Sequence, residues 1–489
     1  MDFAGTSLNV GWNQSSQQSS FGYDAVEDTT RRRQANPTTR SEDVELFTSQ
    51  RRQLVSQARD MMRNFAIARW AIGKHLDFVA RHTFSCQTKT TFDYELQDLM
   101  EEWSCDKNLC DITGRHTFPR IVRMTEARAA LDGDHLLCPI ADGTIQQIES
   151  DRLASELGVS ADGREVHGVV MNKNGRATGY KIWDRNPWGG YSNPQIIPAA
   201  SVILHNYFPN ERADQVRGIG LVAAGMNDFI DTYEWAGLTK ATAKLRTAFA
   251  MIISSKSLDG IERGAPSDFG DDSDDETGES CESEPRYDVE FGKGPFKLEL
   301  EPGEDAKFLT DDSPSTQTFE FFKSAIGFAL KALDIPLCFY DESLTNFFGQ
   351  KAALTMYLES CKTKRQNLVH NVLRPITLWK ITQWIAQGRL RLPANGDIKR
   401  IPFRWTHAGT PYWNPSQEIN ADIQAIQAGL KTWEDVYLER TGGDWYRDML
   451  RLKEQQDFLK KNGIQLDPKV MQFMPVDMSS AQQNGGQPA

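Results

Sequence analysis

Apolar residues recur at helical spacing through two long stretches, 219–254 and 313–387. In the first, Val222, Met226, Phe229, Ile230, Tyr233, Ala241, Leu245, Phe249 and Ile252 fall on one stripe. At about 1.5 Å per residue this predicts a helix roughly 50 Å long. The second stretch opens at Ser313-Pro314, a capping hydroxyl followed by proline at the first helical position. Phe319, Phe322, Ile326, Leu330 and Leu333 mark its apolar face, and Ile335-Pro336 stops it. A further long helix over 349–387 carries Leu354, Tyr357, Leu358, Cys361, Leu368, Val372, Ile376, Trp379 and Ile385, with Pro375 expected to kink it. Between the stretches lie strand patterns at 287–291 and 296–300, with Gly292, Gly294, Pro302 and Gly303 setting turns. Two helices that leave a body and return to it, with a small β module at the far end, predict a stalk with a tip.

The body before the stalk changes period partway along. Residues 1–42 are polar and poor in large apolar side chains, which predicts a flexible arm. A helical pattern starts at Glu42 and continues to Val79, and helices are predicted over 92–103 and 118–132. Arg51, Arg52, Arg59, Arg63 and Arg69 in the first of these offer a basic face toward an acidic partner, or a solvated surface. Short strands are predicted at 136–140, 145–148, 166–171, 180–183 and 202–204, with hairpin turns at Asp142-Gly143 and Asn174-Gly175. Residues 186–191 read as a surface loop interrupting this α+β body. A strand is expected around Phe403-Arg404-Trp405, a helical block from Pro415 to about Asn462, and a loose tail after it.

Composition narrows the function. With 489 residues the chain is long enough for several domains and a substantial core. Its 55 Lys+Arg against 67 Asp+Glu leave a net charge of -12, which argues against a protein that coats nucleic acid by neutralising phosphates. No run approaches the ~18 apolar residues of a membrane span, so no membrane association is expected. Seven cysteines without an apolar leader fit reduced thiols. The cluster His82, Cys86, Cys105, Cys110 and His116 invites a zinc reading, weighed against plain packing cysteines because its Cys-x4-Cys lacks a second regular pair. Gly218-x-Gly220-x-x-Ala223 formally matches a dinucleotide fingerprint but lacks the strand before it and the later carboxylate. No phosphate loop, metalloprotease motif or nucleophile elbow is present, and Glu276 stands where a calcium loop needs glycine. His205 and His370 read as structural. No enzymatic site and no cofactor is expected.

The ordered series Trp103 with residues 111–118, Leu131-Asp132-Gly133-Asp134, Ile148-Glu149-Ser150-Asp151-Arg152-Leu153, Asn174-Gly175-Arg176, Val202-Ile203-Leu204-His205 and Gln215-Val216-Arg217-Gly218 resembles the lambda-type portal (head-tail connector) proteins of tailed bacteriophages. Leu333-Asp334-Ile335-Pro336, Thr345-Asn346-Phe347, Ala352-Ala353-Leu354, Pro415-Ser416-Gln417-Glu418 and Gly429-Leu430-Lys431-Thr432 extend the resemblance, which spans roughly 51–466. The chain departs from it at Asn346-Phe347-Phe348, where the family has Asn-Tyr-Ser, and at the acidic run 268–284, which looks inserted.

The resemblance implies a ring, typically of twelve copies, at one capsid vertex. Its parts would be a flexible arm (1–42), an α+β wing (43–218), stem helix 1 (219–254), a clip (255–312) with an acidic loop at 268–284, and stem helix 2 (313–335). A tunnel loop (336–348), a kinked long helix with wing return (349–414), crown helices (415–466) and a flexible tail (467–489) complete it. The ring would carry double-stranded DNA for packaging and ejection, dock the terminase large subunit and a head-completion adaptor protein, and sit among major capsid or scaffolding protein in the virion, after assembly in the host cytoplasm. Asp341, Glu342, Ser343, Thr345, Asn346, Gln350 and Lys351 would face DNA. Arg263, Arg286, Tyr287, Lys293 and Phe296 would face partners at the clip. Lys362, Lys364 and Arg365 offer local DNA contacts or intersubunit ion pairs. Two other readings fit parts of the pattern: a head-assembly nuclease or protease, which needs a carboxylate cluster or an activated nucleophile, and a filament or tube protein, which long helices also allow.

Overall fold

The computed structural model describes residues 40–88, 90–155, 158–248, 251–255, 304–308, 316–341, 343, 346–392, 396–410 and 412–463. Most of the predicted arm and tail, the acidic run, the strand patterns at 287–291 and 296–300, and Arg263, Arg286, Tyr287, Lys293, Phe296, Glu342 and Thr345 lie outside them. The predicted helix from Glu42 to Val79 is three helices, α1 (Glu42–Glu45), α2 (Thr48–Asn64) and α3 (Ala66–Val79), broken at Phe65, whose backbone is extended. Phe65 is held there by edge contacts with Phe229 and Tyr233 at 6.2 and 5.5 Å. Strand β1 (His82–Cys86) follows, then α4 (Thr91–Cys105), the short α5 (Lys107–Cys110) and α6 (Phe118–Asp132). These helices, with later ones, build the main core around Ile72, Leu96, Trp103, Phe118 and Ile121.

The strand region forms two antiparallel sheets. One has the order β3 (Ile145–Glu149), β2 (Asp134–Pro139), β8 (Ile203–Asn206). The other runs β4 (Glu165–Val166), β5 (Val169–Met171), β6 (Ala177–Arg185), β7 (Tyr191–Pro198). Asp142-Gly143 turns β2 into β3, as the sequence predicts: Asp142 Oδ1 accepts from the Thr144 N–H and hydroxyl at 2.8 and 2.7 Å, and Gly143 takes φ +100°. Three differences from the predicted strands have local causes. Residues 166–171 are a hairpin, because His167 and Gly168 adopt φ of 47° and 91° and turn the chain. Residues 186–191 do not interrupt the sheet; Asn186 N–H donates to the Gly190 carbonyl at 2.8 Å and closes the β6–β7 hairpin, with Trp188 97% exposed at its tip. Strand β1 is not among the predicted strands, because its partner β11 (Phe403–His407) lies more than three hundred residues away.

The two sheets and α2 meet at a buried ionic node. Arg217 is 1% exposed and spreads its guanidinium over Asp134, the Leu153 and His167 carbonyls and Ser150, at 2.5 to 3.2 Å. Burial alone would raise the Asp134 carboxyl, and Arg217 holds it below the ordinary range. Arg51, on α2, donates to the Gly218 carbonyl at 2.6 Å and to Asp43 at 3.3 Å, and Asp43 accepts from the Val216 N–H at 2.6 Å. Two turns further along α2, Arg59 bridges Asp132 at 2.6 Å and Asp151 at 2.8 Å. Of the five arginines predicted to form a basic face, Arg51 is turned inward and Arg59 is tied to carboxylates, while Arg52 and Arg63 on α2 and Arg69 on α3 stay exposed. The Gly218-x-Gly220 pair also finds its reason here. A Cβ on Gly218 would sit 1.9 Å from the Gly133 carbonyl oxygen, and one on Gly220 2.1 Å from that of Leu131, so the glycines serve a close backbone crossing and not a phosphate.

A second node is fully buried Glu126 on α6. It accepts from His75 at 2.7 Å, His205 at 2.8 Å and Tyr207 at 2.6 Å, joining α3, α6 and β8. Burial would raise its pKa, but the histidine bonds hold it far below the ordinary value. A third is Lys380, which lies over the rings of Trp103, Trp379 and Trp384 at 5.1 to 5.5 Å and donates to the Gly143 carbonyl at 3.0 Å. It clamps the β2–β3 turn to the core. The zinc candidates disperse: Cys110 Sγ donates to the His116 carbonyl and Cys86 Sγ to that of Pro402, while Cys105 is exposed. No metal-holding group of His, Cys, Asp and Glu occurs among the described residues.

Past the body, the chain enters a 3-10 turn at Leu221–Gly225 and then α7 (Met226–Ala248). The predicted helix to residue 254 ends early because Met251–Ser255 is a strand, β9, paired antiparallel with β10 (Glu304–Phe308). Helix α8 (Thr316–Lys331) returns to the body. Helix α9 (Phe347–Leu368) passes through a π turn at Val369–Leu373 into α10 (Arg374–Ala386). The π turn is how the helix absorbs Pro375: Arg374 N–H reaches back to Val369, and the widened turn makes room for a ring without an N–H. His370, expected to be structural, is exposed within it. After β11 come α11 (Pro415–Gln427), α12 (Trp433–Thr441) and α13 (Trp445–Lys461).

Arg217→Ala leaves Asp134 buried without its partner, and urea unfolding is expected to lose about 3–5 kcal/mol. Arg217→Lys restores only part, because an ammonium cannot span the same acceptors. Fully buried His135 contributes to the pH dependence: burial, then Arg128 and His205, push it down from 6.5 to about 3. The folded state then binds fewer protons than the unfolded chain, so this contribution is absent above pH 6.5 and destabilises progressively as pH falls toward 3. Melting temperatures of His135→Leu should decline less than wild type between pH 6.5 and 4.5 if that sign is right.

Candidate functional site

Helix α8 is followed by a turn through Leu333-Asp334-Ile335, where Leu333 and Ile335 are buried and Asp334 adopts φ +61°. That conformation turns the chain out of the helix, and Pro336 prevents its continuation. Asp334 is anchored from α9, accepting from Ser360 at 2.6 Å and Lys364 at 2.9 Å. A 3-10 turn at Leu337–Phe339 packs Phe339 against Phe78 and Tyr357, at 6.1 and 5.4 Å between ring centres. The connecting segment is therefore fixed at its entry by an aromatic cluster and an ion pair.

Of the residues expected to face DNA, Asp341 accepts from the Ser343 hydroxyl at 2.6 Å and pairs with Lys323 of α8 at 2.8 Å. These contacts, Lys323 first, hold its carboxyl down at about 2. Asn346 is the residue before α9, and its carbonyl accepts the Gln350 N–H at 2.9 Å. Phe348, where the resemblance departs, is 79% exposed. Gln350 lines a cleft of about 600 Å³ together with Asp334, Pro336, Leu337, Cys338 and Tyr357. The segment residues Asp341, Ser343 and Asn346 and the α9 residues Gln350 and Lys351 thus lie at one end of α9.

The cations expected to touch DNA or a neighbouring copy are occupied within the chain. Lys351 pairs with Glu418 on α11 at 2.8 Å. The other Glu418 oxygen accepts from Arg440 of α12 at 3.0 Å, and Arg440 pairs with Asp422 at 2.9 Å while covering the Tyr412 ring. Lys362 pairs with Glu359 at 2.6 Å, and Arg365 donates to the Phe78 carbonyl of α3 at 2.6 Å. The sequence reading missed Lys323, Glu418 and Arg440 as members of this arrangement. Their signal was weak, because each sits alone in an unremarkable polar position and gains a partner from a separate helix.

If Lys351 and Glu418 form one unit, a double-mutant cycle with Lys351→Met and Glu418→Gln, read by thermal unfolding, should give a coupling of about 0.5–1 kcal/mol that shrinks in high salt. Additive losses would mean the pair is not held in solution.

No curated protein matches the sequence. Among solved structures, a chain from the neck of an empty GTA particle computed with C6 symmetry aligns with 78% of this chain and 92% of its own, at 13% identity and a TM-score of 0.44. A chain from the virion of a native gene transfer agent particle aligns with 79% and 92%, at 13% identity and 0.42. An HK97-family phage portal protein from Corynebacterium diphtheriae aligns with 63% and 83%, at 12% identity and 0.25. The assignment rests on sequence: the model described as phage portal protein, lambda family, matches residues 28–362, and the chain belongs to that family of portal, or head-tail connector, proteins.

Proposed function

We propose that copies of this portal protein close into a ring, typically of twelve, at one vertex of a phage capsid, and that double-stranded DNA passes through its centre during packaging and ejection. The α+β body is the wing, α7 and α8 the stem, residues 255–312 the clip, 336–348 the tunnel loop and α11 to α13 the crown. The terminase large subunit and then a head-completion adaptor use the clip, while capsid or scaffolding protein surrounds the wing. Assembly takes place in the host cytoplasm. The role is mechanical and makes or breaks no bond.

One observation carries the ring. Among the described residues, the apolar stripes of α7, α8 and the turns beside them are buried near the body, at Val222, Met226, Phe229, Ile326, Leu330 and Leu333. Farther out, Tyr233, Leu238, Phe319 and Phe321 are 51 to 65% exposed, and Phe328, between Ile326 and Leu330 but pointing away from them, is 68% exposed. Exposed large apolar side chains of this number on a helix pair favour a partner, and a neighbouring copy offers the same helices to cover them. The acidic balance of the chain supports passage over capture: like charge keeps a polyanion from adhering while it moves. The intramolecular pairing of Lys351, Lys362 and Lys364 further reduces the positive charge open to DNA.

Negative-stain imaging and mass measurement of the full chain should give closed rings with a central hole. Phe321→Asp together with Phe328→Asp should yield monomers with unchanged far-ultraviolet circular dichroism; rings that persist in this variant would remove the support the exposed face provides.

A further inference from the structure

Beyond the body, a groove of about 760 Å³ opens between α7, α8 and the break that separates α2 from α3. Phe65 and Ile67 wall it at the break, Phe319 and Phe322 on α8, and Tyr233 and Gly237 on α7. Nearer the body the same stripes of the two helices are buried, at Phe229 and Ile326, whereas Tyr233 and Phe319 are 51 and 56% exposed. The groove is therefore the outward continuation of the stripes that anchor the helix pair, left without a cover.

Three features say what fits it. Gly237 lies inside α7, where glycine costs stability relative to alanine, yet a Cβ there would meet nothing within 4 Å among the described residues. No contact within the chain accounts for that glycine, and room for a close approach from outside does. A second apolar patch faces another way: Phe321 and Phe328, 64 and 68% exposed, share one line along α8, two turns and about 10 Å apart. At about 100° per residue this line lies roughly 110–170° around the helix from the groove residues Phe322 and Phe319. The charges also match, because Lys240 lines the groove and Glu320 stands beside Phe321, both exposed and neither in an ion pair among the described residues.

We propose, resting on the ring reading above, that this groove is the socket for a second copy of the chain. Phe321 and Phe328 of one copy form a ridge that enters the groove of the next, over Gly237 and against the break at Phe65, with Glu320 reaching Lys240. Two different patches on different sides of one helix pair make a head-to-tail contact, which a rotation closes into a ring. A single patch packed on itself would instead stop at a pair of copies. Each copy thus gives its ridge to one neighbour and its groove to the other, and the α2–α3 break belongs to the interface as well as to the body.

Gly237→Glu places a charged side chain in the groove where its own chain leaves open space. It should lower the yield of rings in the full chain at least about tenfold, since a charge buried unpaired in an apolar contact is costly, with unchanged circular dichroism. The partner surface is read directly by Phe328→p-benzoylphenylalanine, irradiated in rings assembled from a mixture of unlabelled and heavy-nitrogen-labelled chains. Mixed-label peptides should join position 328 to residues 64–67 or 233–243. Rings as abundant in Gly237→Glu as in the unaltered chain, or an absence of links to both segments, overturn the socket and leave the ring standing. An unaltered chain that stays monomeric overturns both readings.

Discussion

The pairing of Arg217 with Asp134 is the constraint on which the rest of the molecule hangs. Removing both charges from water is expensive, and their mutual attraction offsets that cost only when every remaining donor is satisfied. Here the remaining donors reach the Leu153 and His167 carbonyls and Ser150, so the guanidinium reads the position of the β3 exit and the β4–β5 hairpin at once. Arg51 then ties α2 to the backbone just beyond, at Gly218. Because Gly133 and Gly218 cross at backbone contact, the direction in which the chain leaves for α7 is set by the same few residues. A buried ionic joint gives up stability relative to an apolar one and gains a defined geometry, which is what a long projecting helix requires at its base.

From that base outward the helices change character. Gly225 lets α7 approach Ala329 and Ala332 of α8 closely, and the pair is well buried there. Farther along, Trp235 packs on Phe321 and Phe322 within the pair, while the outer aromatic faces stay uncovered. The α9 end shows the opposite economy of charge. Its Arg365 reaches a carbonyl of α3, Lys364 pairs with Asp334 just after α8 and Lys351 with Glu418 of α11, so the connection between α8 and the last helical block is electrostatic as well as apolar.

Much of this was legible in the amino-acid order. The period of apolar residues located α4, α6, α8 and α9, and the Asp-Gly and Asn-Gly turns located two hairpins. These signals are local: a stripe or a turn is specified within a few residues, and its physics does not depend on what lies across the molecule. The motifs that carried the family resemblance, such as Leu131-Asp132-Gly133-Asp134 and Gln215-Val216-Arg217-Gly218, were visible as patterns without a reason. The structure supplies it, since they converge on one buried joint.

The sequence by itself determined most of the helical and strand periods and the family, because these depend on spacing along the chain and on ordered motifs. Only the tertiary structure decided where the charges go. Arg51 and Gly218 are separated by 167 positions, and no local rule distinguishes an arginine destined for a buried carbonyl from one facing water. The break at Phe65, the turn at His167-Gly168 and the π turn before Pro375 likewise follow from packing and hydrogen-bond geometry around them, which a linear pattern does not contain.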